Sequence, residues 1–187
     1  MRTSTSLSCC LYLFGTIVAS PCFSQDGPDS DLPDLGGYIE GPKWQEGNTS
    51  LPPYPQADHL LKLDIDRSGQ RFNYFIDSKS IETTDSGVVR YTVVIESNSG
   101  SKNVLYEGIR CLTDEYRTYA YGTSSGEFSA ARTSTWTEIR DTDVMKHRDG
   151  LLKLYLCSDQ QISLKPTTIL QRIRYPEDFQ NSGDRDF

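Results

Sequence analysis

Most signatures that would announce a catalyst are missing from this chain. It has no Gly-x-Ser-x-Gly, no His-Glu-x-x-His and no phosphate-cradling glycine loop, so the sequence marks of serine hydrolases, zincins and P-loop nucleotide binding are absent. Past the first 24 residues no apolar run approaches the about 20 residues that a membrane-spanning helix needs. No internal repeat is present. Positive charge is in short supply: 19 Lys and Arg stand against 26 Asp and Glu, a net charge of −7. That balance excludes a general nucleic-acid binder and favours solubility. Cysteine is sparse and unevenly placed. Cys9, Cys10 and Cys22 fall near the N-terminus, and only Cys111 and Cys157 lie beyond.

The N-terminus reads as a secretory signal over residues 1–24. Arg2 is the only charge before an apolar stretch from Cys9 to Ala19, and small residues surround a cleavage point after Ser24. The expectation is export to the periplasm. A lipid anchor is not expected, because Pro21 rather than a small residue precedes Cys22. In an oxidising compartment the even pair Cys111 and Cys157 predicts one disulfide. Such a bridge encloses about 47 residues, worth on the order of 4 kcal/mol in the chain-entropy model. The competing reading makes Cys111 a nucleophile served by His147 or His59, as a cell-envelope hydrolase or transferase would require.

Residues 25–50 read as a flexible acidic arm rich in Gly and Pro, with six acids against Lys43 alone. Trp44 is the exception, since a lone Trp in a polar arm usually docks. Leu51-Pro52-Pro53-Tyr54-Pro55 is an extended piece expected to lie over the domain's own sheet. From Leu60 the apolar period becomes two. Leu61, Leu63 and Ile65 make one strand, and Phe72, Tyr74 and Ile76 a second. Val89, Tyr91, Val93 and Ile95 line a longer one. Asn98-Ser99-Gly100 closes a hairpin to residues 103–112, and Tyr116–Tyr121 and Glu127–Arg132 follow. The last third changes period. Asp141 or Thr142 can cap a helix with Val144, His147, Leu151 and Leu154 on one stripe, which Gly150 weakens. Pro166 suits the first turn of another helix, and Pro176 stops it. The fold class is α+β: an antiparallel, largely meandering sheet, open to curling into a half-barrel, covered by one or two C-terminal helices. The globular domain spans residues 51–175, with a disordered tail at 176–187.

Residues 132–174 carry a net positive charge, suited to a polyanion or to pairing with the acidic remainder. Strand 103–112 poses a sharper question. Leu105, Glu107, Ile109 and Cys111 share one face; Val104, Tyr106, Gly108, Arg110 and Leu112 share the other. Either face carries a charge inward. Arg90 on the neighbouring strand is a candidate partner for Glu107. The pair reads either as a structural ion pair or as a polar pocket in the sheet. Asp64-x-Asp66-x-Ser68-Gly69 opens like a calcium loop, but Phe75 stands where a bidentate acid is required. Asp143 and His147 are two potential metal ligands without a third. No metal or cofactor is therefore expected.

Trp44-Gln45-Glu46, the Leu51–Pro55 run, Val89-Arg90-Tyr91-Thr92, Tyr106-Glu107-Gly108-Ile109-Arg110-Cys111, Tyr119-Ala120-Tyr121-Gly122, Trp136 and His147 occur in that order. Over Trp44 to Cys157 the chain resembles the cryptic neisserial protein-like family of small exported proteobacterial proteins. The resemblance implies export and a single domain. It brings no catalytic residues, and it adds interest to Glu107, Arg110, Trp136 and His147. The expected function is a non-enzymatic periplasmic binding or envelope-accessory module. It would display Trp136, Arg110, Glu107 and Arg148 to an unidentified envelope protein or polymer.

Overall fold

The computed structural model describes residues 43–65, 71–140 and 146–176. The leader, most of the arm, the Ser68-Gly69 turn, the helix cap at Asp141 or Thr142 and the tail from residue 177 lie outside the described residues.

Period-two alternation produces strands, and eight pair antiparallel into one sheet. They are β1 (Leu60–Leu63), β2 (Phe72–Asp77), β3 (Glu82–Thr83), β4 (Val88–Ser97), β5 (Lys102–Arg110), β6 (Glu115–Gly122), β7 (Phe128–Ala130) and β8 (Thr137–Glu138). The order is β1-β2-β4-β5-β6-β7, with β3 beside β4 and β8 beside β6. This is the meander expected from the sequence, and the sheet does not close into a barrel. Gly100 turns the β4–β5 hairpin with φ 85° and Gly126 turns β6 into β7 with φ 77°, a region where a side chain would be strained. The two-residue strands β3 and β8 are too short to show a period, and the sequence does not announce them.

The long strands β4 and β5 are buried on both faces over most of their length. On one face Ile76, Val89, Tyr91, Val93, Leu105 and Ile109 form the main core. It is covered by α1 (His147–Gly150), one π-helical turn (Leu151–Leu156) and α2 (Pro166–Arg174). Fully burying each Leu or Ile there contributes about 1.5–3 kcal/mol. The stripe expected for the first of these helices changes beyond Gly150. The Cys157 N–H reaches back five residues to the Leu152 carbonyl at 3.2 Å, widening the turn. Tyr155 and Leu156 thereby face inward and Leu154 is left 49% exposed. Pro166 opens α2 as expected, with Ile169 and Ile173 buried. Cys111, in the turn after β5, is bonded to Cys157 with a Cα–Cα distance of 5.7 Å, joining the sheet to the end of the π turn.

Residues 43–55 lie across the opposite face. The compact unit begins at Lys43, so it takes in residues that the sequence assigns to the arm. Tyr54 packs on Phe128 with ring centroids 5.3 Å apart. It also lies over Gly122, where a Cβ would come within 2.9 Å of the Tyr54 hydroxyl. Among the described residues no helix is long and apolar enough to cross a membrane.

Candidate functional site

The hairpin register sets two rows of residues across β4, β5 and β6. In one, Glu107 lies between Tyr91 and Thr118; in the next, Gly108 lies between Arg90 and Arg117. Successive residues point to opposite faces, so the rows build two separate clusters. A register shift between β5 and β6 at Tyr106/Glu107 inserts Tyr119 as an extra residue in β6. Thr118 then faces Glu107, while Tyr119 joins Tyr106 and Ala120 on the other side.

On the helical face Glu107 is fully buried. Tyr91 donates to its Oε2 at 3.2 Å and Thr118 to its Oε1 at 2.9 Å. From α1, His147 Nε2 lies 3.1 Å from Oε2, and Arg148 donates to Oε1 from Nε at 3.2 Å and from an NH2 group at 2.5 Å. Arg148 also stacks over Tyr116, 3.7 Å from its centroid, and His147 stacks on Tyr74 at 5.9 Å. Burial alone would push the Glu107 carboxyl up. The hydrogen bond and charge of His147, with those of Arg148, outweigh it and hold the carboxyl at about 2. The same burial, reinforced by the neighbouring Glu107 charge, raises the Tyr91 hydroxyl well above its ordinary value. This cluster is closed to solvent: His147 is fully buried and Arg148 nearly so. It ties α1 to the sheet.

Arg90 is not the partner of Glu107. Alternation turns it to the opposite face, where it meets Glu46 of the N-terminal segment. Arg90 donates to Glu46 Oε1 from Nε at 3.2 Å and from an NH2 group at 2.8 Å, and it also binds the carbonyls of Gly47 and Asn48 at 3.2 Å. Arg117 reaches Glu46 Oε2 at 3.1 Å and Tyr119 donates to Oε1 at 2.5 Å. The Glu46 side chain is 6% exposed. Burial, and then the Glu46 carboxylate as acceptor, push the Tyr119 hydroxyl far above its ordinary value. Gly108 makes the room, because a Cβ there would stand 2.5 Å from the Tyr119 hydroxyl and 2.9 Å from Val88 Cγ1.

Arg110 faces the same side as Arg90 but nearer the surface. Its guanidinium lies 4.0 Å from the Trp44 ring centroid and 3.5 Å from Glu115. Trp44 donates its indole N–H to the Ser86 carbonyl at 2.9 Å and meets Trp136 edge to face at 5.7 Å. Trp44 and Arg110 line an open cleft of about 340 Å³ together with Ser86, Leu112, Ile162 and Ser163. Leu112 and Ile162 are large apolar side chains more than half exposed.

Of the residues singled out in the sequence, Arg110 and Trp136 are therefore at or beside an open surface. Glu107, His147 and Arg148 form one closed cluster, and Arg90 belongs to another. Glu107 and Arg148 do not contribute to a displayed surface. Glu46, Arg117 and Tyr119 were not anticipated. The row Arg90–Gly108–Arg117 was a readable signal for Arg117, given the hairpin register; the arrival of Glu46 from the N-terminal segment and the bulge that turns Tyr119 were not. Cys111 is held in the disulfide, and His59 lies near Asp58 at 3.8 Å. Among the described residues no group of three or more His, Cys, Asp or Glu could hold a metal ion.

The curated protein Cryptic neisserial protein 1 of Neisseria gonorrhoeae (strain ATCC 700825 / FA 1090) is 28% identical over 148 residues, which cover 68% of this chain and 70% of that protein. No solved structure matches at a significant level. The model of the CNP1-like family matches residues 39–174, a span that takes in Glu46, Glu107, the cleft and the disulfide; the chain belongs to the CNP1-like family.

Proposed function

We propose that the protein is an exported, periplasmic, non-enzymatic binding or envelope-accessory module that engages its ligand at the Trp44–Arg110 cleft, with Trp136 behind it. The observation that carries this reading is the half-buried Arg110 guanidinium held over the Trp44 ring, 4.0 Å from its centroid, beside the exposed Leu112 and Ile162. An aromatic face and a fixed guanidinium suit a sugar or apolar group next to a carboxylate or phosphate. Those chemistries recur in envelope polymers and in acidic protein segments. Bonding of Cys111 to Cys157 supports a non-enzymatic role, because it leaves His147 and His59 no thiolate to activate.

Co-sedimentation with insoluble cell-wall polymer and with envelope protein fractions tests the reading. Arg110→Ala and Trp136→Ala should each weaken retention about 10-fold, as loss of about 1.4 kcal/mol does, while the folded baseline in circular dichroism is unchanged. Equal retention of the wild type and both variants refutes the cleft. Recovery of the mature chain in the cytoplasmic fraction refutes the address.

A further inference from the structure

Residues 44–48 hold to the sheet as a bound peptide would. The attachment is concentrated in the Trp44 indole on Ser86 and Arg110, the Glu46 carboxylate on Arg90, Arg117 and Tyr119, and the Gly47 and Asn48 carbonyls on Arg90. Among the described residues no backbone–backbone hydrogen bond joins residues 43–55 to the strands. Lys43, Gln45 and Gly47–Leu51 are exposed. The receiving residues are placed by the pairing of β4, β5 and β6, which does not involve the segment they hold. Without Glu46 the face would present Arg90, Arg110 and Arg117 together. Glu82, 3.6 Å from Arg90, and Glu115, 3.5 Å from Arg110, would be the acids remaining beside them. Such a face favours an incoming carboxylate.

We infer that the β4–β5–β6 face is a receptor site for a protein segment carrying an indole and, two residues later, a carboxylate, occupied here in cis by Trp44-Gln45-Glu46. The natural ligand is a Trp-x-acid segment of a partner protein, which enters as the chain's own segment leaves. The site goes beyond the cleft reading, because it needs Arg90 and Arg117, which the cleft does not use; it shares Arg110 with the cleft, where the partner's indole would take the place of Trp44 as the aromatic wall. A tethered occupant competes at an effective concentration in the millimolar range, so the cis segment sets a threshold that a partner must exceed.

The probe is a labelled synthetic peptide with the sequence of residues 42–49, tested against the full chain by fluorescence anisotropy. The double variant Trp44→Ala/Glu46→Ala empties the site and should bind the peptide at least 10-fold more tightly than the wild-type chain does. A peptide with Gln in place of its Glu should lose that binding, and so should the double variant with Arg117→Ala added. A second measurement needs no variant. In the wild-type chain the Trp44 indole N–H resonance should move to its free position as unlabelled peptide reaches millimolar concentration, and stay fixed with the Gln peptide. Equal, weak anisotropy for all chains, or an unmoved indole signal if the double variant fails to fold, overturns the inference. A dimer of the wild-type chain that dissociates on Glu46→Ala supports the site and makes a second copy the partner.

Discussion

Replacing Glu107 with Gln tests the tie between α1 and the sheet. The substitution keeps the side chain's size but leaves one oxygen in place of two, so Tyr91, which donates to Oε2, and Thr118, which donates to Oε1, no longer both keep an acceptor. It removes the charge that Arg148 approaches from two nitrogens, in a place where the Arg148 side chain is only 11% exposed. Breaking a buried pair from one side costs about 3–5 kcal/mol, because the other charge stays buried without a partner. With a urea slope of roughly 2 kcal/mol per molar, the unfolding midpoint should fall by about 2 M at pH 7. The pH dependence gives an internal check. The Glu107 carboxyl sits at about 2 in the folded chain against an ordinary 4.5. Its contribution is therefore present above pH 4.5 and is lost as pH falls towards 2, a difference of about 3 kcal/mol. The gap between wild type and variant should narrow over that window. Glu107→Met combined with Arg148→Met should cost far less than the sum of the single changes, since removing both charges leaves neither stranded. A loss below about 1 kcal/mol for Glu107→Gln at pH 7, or a gap that does not change between pH 5 and pH 2, would refute the account.

Two further outcomes follow from the packing. Denatured, non-reduced protein should show Cys111 and Cys157 unreactive to thiol reagents. Reduction should then lower stability by roughly 4 kcal/mol, the loop-closure value for the 46-residue separation; two free thiols would contradict the bond. Gly108→Ala should destabilise the chain by about 1–3 kcal/mol, because its Cβ would collide with the Tyr119 hydroxyl and Val88. Since Tyr119 is one of three side chains that hold Glu46, with Arg90 and Arg117, Glu46→Ala should cost less in the Gly108→Ala background than in the wild type, as read by urea unfolding.

Alternation and turn chemistry carry much of the fold. Apolar residues at alternate positions within Leu61–Ile65, Phe72–Ile76 and Val89–Ile95 name the strands, and Asn98-Ser99-Gly100 places the hairpin whose register aligns Glu107 with Tyr91. The pairing of Cys111 with Cys157 is expected from their even number beyond the N-terminal leader and the export that leader suggests. A local period cannot report a partner distant in sequence. Arg90 looked like the natural counter-charge to Glu107 because it lies on the adjacent strand; it stands one residue before Tyr91, the residue paired with Glu107, so alternation points it through the sheet to Glu46, 44 residues away. The first helix shows the same limit, because the π turn at Leu151–Leu156 shifts the buried positions from Leu154 to Tyr155 and Leu156.

The sequence by itself determined an acidic α+β chain with a meandering sheet, a disulfide-competent cysteine pair and a charge that some face of β5 must bury. Only the tertiary structure decided that both faces are covered. The helix α1 supplies His147 and Arg148 to one carboxylate, and the sheet's own arginines receive another from the N-terminal segment. The physical reason is that strand periodicity fixes which way a side chain points, whereas the group it meets depends on which distant segment comes to lie over that face.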